Sequence, residues 1–522
     1  MAGHPQSFLV ELQDLTRLIL ADNLHPNEGA LPEVGVDVTI DELAMRPLND
    51  AYQVVFEGHR IHVDSLDWRN SWLLRAQITI GWCIFILFGL GEQTLGTILP
   101  RLQKHYGIND LDTAFIFLAA TSGYFVMAMV SEKCHSKYGY RGVGAIGTGC
   151  MITGYVIAGT GPYFPFFICA YFIVGVGFGC LDASFNGYIG NLVNSAPLLG
   201  ILHGCYGIGC ITTPPLVTSL IERKDKPWSI FHYYFVLAGL AATMMAIIGF
   251  VYRHESATKY RLNILLNEAR REFRDGINSE PKDGSEASNT ESLKNTSNDI
   301  DGRMGPVNSN DSFAVPEPKT SALKSKLVWS LAIIMFVYVS GEAAFGAWLV
   351  SYCIRIKHFA YQYSSYMAST FWAGLTIGRM VLGFVTEFYF NDELVANTTY
   401  IAGSLIGQTV FCIAVLFSFP AILFPIVFLL GFFVGPIFPT TIVATVNILP
   451  VHLHASGIGF ICAFGGGGGA AAPFLIGLVA SSSDQGLRFY PLICALLYVL
   501  LIVMWTALIT YTKRGKKIRV SA

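Results

Sequence analysis

Runs of about twenty apolar residues recur along this 522-residue chain. A helix that crosses the hydrocarbon core of a bilayer needs about 20 mostly apolar residues. The sequence predicts spanning helices at 77–99, 112–131, 143–161, 165–190, 199–221, 230–252, 328–352, 362–386, 397–417, 421–447, 455–480 and 489–511. These runs form two blocks of similar length, which is typical of an internal repeat. We therefore predict an all-α membrane protein with twelve transmembrane helices in two six-helix bundles.

The composition excludes several other classes of protein. Charged residues make up 13% of the chain, about half of the roughly 25% found in soluble domains. The net charge of −2 argues against a nucleic-acid partner. The cysteines lie in or beside apolar runs, so no disulfide framework is implied. The sequence pairs no nucleophile with a base and spaces no metal ligands, so we expect no enzyme activity, no metal and no cofactor.

Polar segments flank and separate the two blocks. We assign 1–76 to an N-terminal tail, 77–252 to the first bundle, 253–327 to a linker, 328–511 to the second bundle and 512–522 to a basic tail. The linker begins with a charged stretch that predicts a helix over Arg253–Arg274. Gly276–Ser321 is rich in Ser, Asn, Asp, Gly and Pro, and such a segment buries too little apolar surface to order itself, so we predict disorder.

The orientation follows from the basic residues near the span ends. With both termini inside, lysine and arginine are about twice as frequent on the inner side as on the outer side, which favours cytosolic termini and a cytosolic linker. The N-terminal tail contains a pattern that predicts an amphipathic helix over Phe8–Leu20. Within it, Asp14, Leu18 and Ile19 match an acidic dileucine sorting pattern. We therefore expect the protein in the plasma membrane or the vacuolar membrane.

Ionisable residues inside the predicted spans are the first candidates for function, because a charge at membrane depth is costly. They are Glu92, Asp182, His203, Glu342 and Arg379. Asn186 lies one helical turn after Asp182, so the two side chains share a face. We expect them to present a carboxylate and an amide to a central cavity. A hydrogen bond or ion pair between helices is the structural alternative, and Arg379 alternatively reaches the membrane surface or pins a loop.

Glycine and proline mark places where spans approach closely or bend. Gly175, Gly177 and Gly179 lie in one span, and Gly465–Gly469 form a run in another. Glycine removes the side chain where helix backbones must come together. Pro214, Pro215, Pro436 and Pro439 remove helical hydrogen bonds, which is typical of broken helices beside a cavity.

Several motifs carry a resemblance to a known family. They are Ile98–Gln103, Gly123–Ala128, Lys137-Tyr138-Gly139-Tyr140-Arg141, Gly179–Asn186 with its Asp182, the group of Tyr338, Val339, Glu342 and Trp348, and Gly378-Arg379. The chain resembles the major facilitator superfamily, and within it the fucose-permease-like branch of sugar–proton symporters. It is also similar to fungal transporter-like proteins named for stop-codon bypass.

The chain departs from the family pattern at identifiable positions. Ser136 stands where the loop motif has an aspartate, and Glu132 where it has its leading glycine, whereas the second copy keeps Gly383 and Glu387. The aspartate of the first span falls on Gly96, and Glu92 lies about one turn earlier.

The resemblance implies secondary transport by alternating access, with proton-coupled symport of a small polar solute such as a sugar. It implies a monomer embedded in membrane lipid. The residues that would bind substrate or protons are Asp182, Asn186, Glu342, Glu92, His203 and Trp348. Those of the gating and loop motifs are Lys137, Gly139, Arg141, Arg379, Gly383 and Glu387. Two alternatives remain at this point, an efflux antiporter of amphipathic compounds and a non-transporting membrane sensor.

Overall fold

Long helices dominate the protein. The computed structural model describes residues 40–47, 51–193, 195–279, 324–390, 392–417, 419–449, 454–481 and 485–520. Ten helical segments of this part of the chain are long and apolar enough to cross a membrane. The two other predicted spans, 112–131 and 397–417, are helical over nearly their whole length. The predicted all-α membrane architecture is therefore confirmed, and the twelve-span arrangement is consistent with it.

The helices fall into two groups joined by a linker helix. The first group contains α2 (Trp72–Tyr106), α3 (Asp110–Gly159), α4 (Phe164–Gly190), α5 (Ser195–Ile221) and α6 (His232–Val251). The linker helix is α7 (Ala257–Ser279). The second group contains α8 (Lys326–Arg355), α9 (Tyr361–Tyr389), α10 (Glu393–Ala414), α11 (Pro420–Val434), α12 (Ile437–Ile448), α13 (His454–Ser481) and α14 (Tyr490–Val520), with a 3-10 turn at Gly486–Phe489.

Several boundaries differ from the predicted ones. The first span begins at Trp72 rather than at 77, because Ser71 caps the helix by accepting a hydrogen bond from the Leu74 amide at 3.2 Å. The spans predicted at 112–131 and 143–161 form one helical run, which only Gly139 interrupts, at φ 65° and ψ 179°. Hydropathy marks the membrane-embedded part of a helix, not its ends.

The span predicted at 421–447 is two helices, α11 and α12, separated at Gly435 and Pro436. This break confirms the expectation for Pro436, since proline has no N–H to donate to the preceding turn. Pro214 and Pro215, by contrast, lie inside the uninterrupted helix α5.

The N-terminal region contains a small folded unit that hydropathy did not reveal. It consists of α1 (Ile40–Ala44) and an antiparallel hairpin of β1 (Tyr52–Phe56) and β2 (His59–Val63). Glu57 and Gly58 form its two-residue turn, both at positive φ. Its buried side chains form a cluster with Leu262 and Leu266 of α7. The proposed helix over Phe8–Leu20, the sorting pattern, and the linker beyond Ser279 lie outside the described residues.

A buried lysine joins this unit to the start of the linker helix. Lys259 is 3% exposed, and its ammonium group lies 2.5 Å from an oxygen of Asp64 and 2.7 Å from one of Glu255. Burial would raise the pKa of Asp64, but Lys259 and His62 outweigh it and the pKa is lowered. Burial would lower the pKa of Lys259, but Glu255 and Asp64 raise it. The paired charges are therefore the stable form at neutral pH.

We expect Lys259→Met to release the hairpin from the linker helix. The change leaves two carboxylates facing each other with no cation. Removing one partner of a buried ion pair typically lowers the free energy of unfolding by about 3–5 kcal/mol. Hydrogen exchange at the β1 and β2 amides should become faster. In the unchanged protein, the contribution of Asp64 to the free energy of unfolding should decrease as pH falls below about 4, the pKa of an aspartate in an unfolded chain. The contribution of Lys259 should decrease as pH rises above about 10.4, the pKa of a lysine in an unfolded chain. The control is Arg60→Gln, on the exposed side of the hairpin. Exchange as slow in Lys259→Met as in this control would contradict the assignment.

The two groups of helices are bonded to each other at the end of the spans opposite the hairpin. Arg355 pairs with Asp110, and the Tyr361 hydroxyl donates to the Thr97 carbonyl. The hydroxyls of Thr218 and Ser365 lie 2.6 Å apart. We call this set of contacts the sealed end.

Candidate functional site

A large cavity lies between the two groups of helices. Its volume is about 860 Å³, and its wall includes residues from both groups. The wall contains the polar residues that the sequence predicts to bind substrate or protons, namely Glu92, Asp182, Asn186, His203 and Glu342. It also contains Arg379, which the sequence assigns to a loop motif. Chain segments that are far apart in sequence thus bring their intramembrane polar groups to one place.

Asp182, on α4, is held by neutral groups. The Tyr124 hydroxyl donates to one carboxylate oxygen at 2.7 Å, and the Asn186 amide donates to the other at 3.0 Å. The predicted pairing of Asp182 and Asn186 on one helix face is present. Of the structural alternatives, a hydrogen bond between helices is present, because Tyr124 belongs to α3. An ion pair of Asp182 with Arg379 or His203 is not found among the described residues, where Arg379 pairs with Glu342.

Glu342 and Arg379 form the ionic part of the cavity wall. The guanidinium group lies 3.5 Å from the carboxylate, and both side chains are nearly buried, at 11% exposed for Arg379 and 13% for Glu342. The Tyr338 hydroxyl also donates to Glu342. The sequence places Arg379 both among the ionisable residues of the spans and in a loop motif, and in the structure its side chain lines the cavity.

Proline explains the position of this arginine. In a helix, the Gly435 carbonyl would accept from the amide four residues later, and that residue is Pro439, which has no N–H. The Arg379 Nε donates to this carbonyl instead, at 3.0 Å. At the same break, the Tyr338 hydroxyl lies 3.2 Å from the Val434 carbonyl. The broken helix thus orients two side chains toward the cavity.

The other acidic residue of the wall is also held by a tyrosine. Glu92 accepts a hydrogen bond from the Tyr206 hydroxyl at 2.8 Å. The His203 ring lies between two aromatic rings, with centroid distances of 5.5 Å to Phe85 and 6.0 Å to Phe438. Each carboxylate of the cavity therefore has a tyrosine hydroxyl as a donor.

Trp348 does not belong to the site as predicted. It is fully buried, its indole N–H donates to the Pro473 carbonyl at 3.0 Å, and it lies outside the cavity wall. Trp372 lines the cavity instead, and its buried indole N–H has no partner among the described residues. Sequence reasoning missed Tyr206 and gave no role to the Tyr338 hydroxyl. The spacing of Tyr338 one turn before Glu342 was an available signal for the latter.

The glycines of α4 serve close helix packing, as predicted. A Cβ atom on Gly175 would lie 1.8 Å from the Ala120 carbonyl oxygen, and one on Gly179 would lie 2.6 Å from the Tyr124 carbonyl oxygen. Both contacts are to the backbone of α3, which cannot move aside as a side chain can. These contacts hold Tyr124 against the helix that carries Asp182.

The loop-motif residues lie away from the cavity. At Gly139, a Cβ atom would lie 2.4 Å from the Ser256 carbonyl carbon, and the Arg141 amide donates to the Glu255 carbonyl at 3.3 Å. The Lys137 ammonium group lies over the Tyr138 ring. In the second copy of the motif, a Cβ atom on Gly383 would meet no atom within 4 Å. The Glu387 side chain lies outside the described part of the structure.

We expect Arg379→Gln to destabilise the protein strongly. It leaves Glu342 without its cation inside the protein, which typically costs about 3–5 kcal/mol. The double variant Glu342→Gln/Arg379→Gln should recover most of that loss, because no buried charge remains. Thermal unfolding of the purified protein measures both. Arg101→Gln is the matched control, because it breaks a pair with Glu222 that is more than one third exposed and contributes less than about 1 kcal/mol. Equal losses in Arg379→Gln and Arg101→Gln would refute the buried ion pair.

A comparison with protein families identifies the chain. The family model described as Major Facilitator Superfamily matches residues 81–392. The chain belongs to the Major Facilitator Superfamily. It is therefore a membrane transporter by family, consistent with a cavity between two groups of helices. The match spans most of the first group, the linker and the beginning of the second group.

Relatives within the superfamily include fungal and bacterial proteins. The chain is 29% identical over 465 residues to Bypass of stop codon protein 6 from Saccharomyces cerevisiae, covering 87% of this chain and 86% of the relative. It is 22% identical to the glucose/mannose transporter GlcP from Bacillus subtilis, covering 78% and 88%. It is 23% identical to a putative glucose/galactose transporter from Helicobacter pylori, covering 79% and 92%.

A solved structure supports the same fold. A single-residue variant of the fucose:proton symporter FucP from E. coli aligns with a TM-score of 0.50 at 15% identity, covering 83% of this chain and 98% of that chain. At this level of identity the likeness supports the fold, in agreement with the predicted major facilitator architecture.

Proposed function

We propose that this transporter carries a small polar solute such as a sugar together with protons, by alternating access. One observation carries the proposal, which is the Asp182 carboxylate in the cavity wall with only neutral donors around it. A carboxylate without a cationic partner can bind and release a proton as the cavity changes the side that it faces. A carboxylate locked in an ion pair, as Glu342 is, has less freedom to do so.

Asp182 couples the binding of the proton to the binding of the solute through one hydrogen bond. When protonated, its O–H donates to a solute hydroxyl, so the solute binds best to the protonated protein. The proton then also binds best when the solute is present, because coupling between two ligands is reciprocal. Tyr124 and Asn186 contact the carboxylate and orient it. The remaining hydrogen-bond donors and acceptors of these two side chains bind the same solute. The relatives named as sugar transporters support a hydroxylated solute.

The orientation completes the proposal. With cytosolic termini, supported by the distribution of basic residues, the sealed end faces away from the cytosol. The protein would act as a monomer in the plasma membrane or the vacuolar membrane. In this orientation, the structure corresponds to a state closed on the outer side.

Reconstituted protein tests the proposal. Thermal-shift screening against sugars, amino acids and amphipathic drugs first identifies a solute, because a ligand stabilises the state that binds it. Uptake into proteoliposomes is then measured with and without an inward proton gradient. We expect a sugar to stabilise the protein and to accumulate only with the gradient. Stabilisation by amphipathic drugs alone would favour the efflux alternative. Retained proton-linked uptake after deletion of 1–39 and 281–320 would argue against the sensor, whereas no uptake of any solute by the folded full-length protein would favour it.

A further inference from the structure

A second polar cavity lies at the hairpin end of the protein. It has a volume of about 360 Å³, which is within the range of small-molecule sites. Its walls come from five parts of the chain: the N-terminal unit, the start of α2, the middle of α3, the end of α4 and the linker helix α7 with the residues just before it. We call it the tail cavity. It shares Ala183 and Gly187 of α4 with the central cavity, but none of the paired polar groups described there.

One side of the tail cavity holds hydrogen-bond donors that lack partners. Tyr52 is 1% exposed, and its buried hydroxyl has no partner among the described residues. The Nε of Arg270 is also buried and without a partner there. An unsatisfied buried polar group costs about 1–3 kcal/mol, and more when it is charged. Both residues belong to the wall of one cavity, and a ligand there would supply the missing acceptors once these side chains turn toward it.

The charges around these donors favour an anion. The Arg46 guanidinium lies over the Tyr52 ring at 5.2 Å from its centroid, and Arg270 also acts electrostatically on the Tyr52 hydroxyl. Of the carboxylates that line the cavity, Asp64 and Glu255 are both bonded to Lys259, and Glu132 is exposed to solvent. Arg270 is therefore a lining cation without a carboxylate partner among the ion pairs of the described residues, whereas the buried carboxylates of the wall share the Lys259 ammonium group.

The remaining wall is of mixed character. It presents the amides of Asn263 and Asn267 and the ring of Tyr260 beside apolar side chains such as Leu66 and Ile264. Amides both donate and accept hydrogen bonds, which matches the hydroxyls of a polyol. Guanidinium groups bind phosphate with paired hydrogen bonds. We propose that the tail cavity binds a small phosphorylated sugar or polyol, whose phosphate accepts hydrogen bonds from Tyr52 and Arg270.

Such a ligand would join separate parts of the chain. It would contact β1, α7 and the end of α4 at the same time. The same helix α4 carries Asp182 five residues before Gly187, so it connects the tail cavity with the central cavity. The inference does not rest on the proposed solute or on proton coupling, because the tail cavity has its own donors and lies outside the paired polar groups of the central cavity.

Calorimetric titration of the full-length protein in detergent tests the proposal. The probes are glucose 6-phosphate, inorganic phosphate and citrate, with potassium chloride at the same ionic strength as the blank. We expect saturable binding of glucose 6-phosphate and weaker binding of inorganic phosphate. Tyr52→Phe, which removes only the hydroxyl, and Arg270→Gln should each weaken binding at least tenfold. Arg60→Gln, on the exposed side of the hairpin, and Asp182→Asn, in the central cavity, should leave it unchanged.

Several results would overturn this assignment. They are the absence of saturable phosphate binding, binding that survives both Tyr52→Phe and Arg270→Gln, and loss of binding in Asp182→Asn, which would place the ligand in the central cavity. Binding of citrate but not of either phosphate would refute the ligand class. Melting temperatures of the variants show that each is folded, and Tyr52→Phe keeps the shape of the packed ring.

Discussion

Asp182→Asn is expected to abolish proton-driven accumulation of the solute while solute exchange across the membrane continues. Asparagine keeps the size of the side chain and still offers a donor to a solute hydroxyl, but it cannot take up or release a proton. Uptake with a proton gradient should fall to the level reached without one, whereas counterflow should continue. Asp182→Ala should weaken both, since it removes the donor as well.

Asp225→Asn is the control for this experiment, because it neutralises an exposed carboxylate that lines neither cavity and should leave accumulation intact. Counterflow, accumulation and yield are measured for each variant across a range of pH. Undiminished accumulation in Asp182→Asn would refute the proposal that Asp182 couples solute transport to protons. A low yield with the pH dependence of the remaining transport unchanged would assign Asp182 a structural role only.

Gly468→Ala is expected to disrupt the packing of α13 against α8, whereas Gly467→Ala is tolerated. A Cβ atom on Gly468 would lie 2.1 Å from the Phe336 carbonyl oxygen and 2.8 Å from the Ser340 hydroxyl. On Gly467, the nearest atom would be a ring carbon of Phe336 at 3.6 Å, which is an ordinary contact. Forcing an extra carbon into a packed interface typically costs about 1–3 kcal/mol.

These two variants form a matched pair, because they add the same methyl group one residue apart on the same helix. Thermal unfolding should show a lower melting temperature for Gly468→Ala, and transport should be lost or strongly reduced. For Gly467→Ala, the melting temperature should stay the same or rise, since alanine favours the helix over glycine. Equal behaviour of the two would show that the glycine run has no position-specific packing role.

The spanning helices were predictable because hydrophobicity over about twenty residues is a local property of the sequence. The pairing of Asp182 with Asn186 was predictable for the same reason, since a spacing of four residues places both on one helix face. The loop motif at Gly139 was recognised from its residues, but not its contact with Ser256, which lies beyond four intervening spans.

Features that depend on distant segments were not predictable. The short strands around Glu57 and Gly58 are stabilised by Leu262 and Leu266, about two hundred residues further along the chain. The position of Arg379 depends on a carbonyl at Gly435 that lacks a donor because Pro439 follows. Trp348 was misassigned because hydropathy does not distinguish an aromatic ring in the cavity wall from one packed behind it.

The sealed end has a consequence for how tightly the protein binds a solute that arrives from that side of the membrane. The bonds of Arg355 with Asp110 and of Tyr361 with Thr97 stabilise the conformation that is closed at this end over one that is open there. A solute that arrives from that side can bind only the fraction of molecules in which these bonds are broken, so its apparent affinity is reduced by that fraction. A substitution that weakens these bonds would therefore raise the apparent affinity from the side of the sealed end, although none of the altered atoms touches the solute.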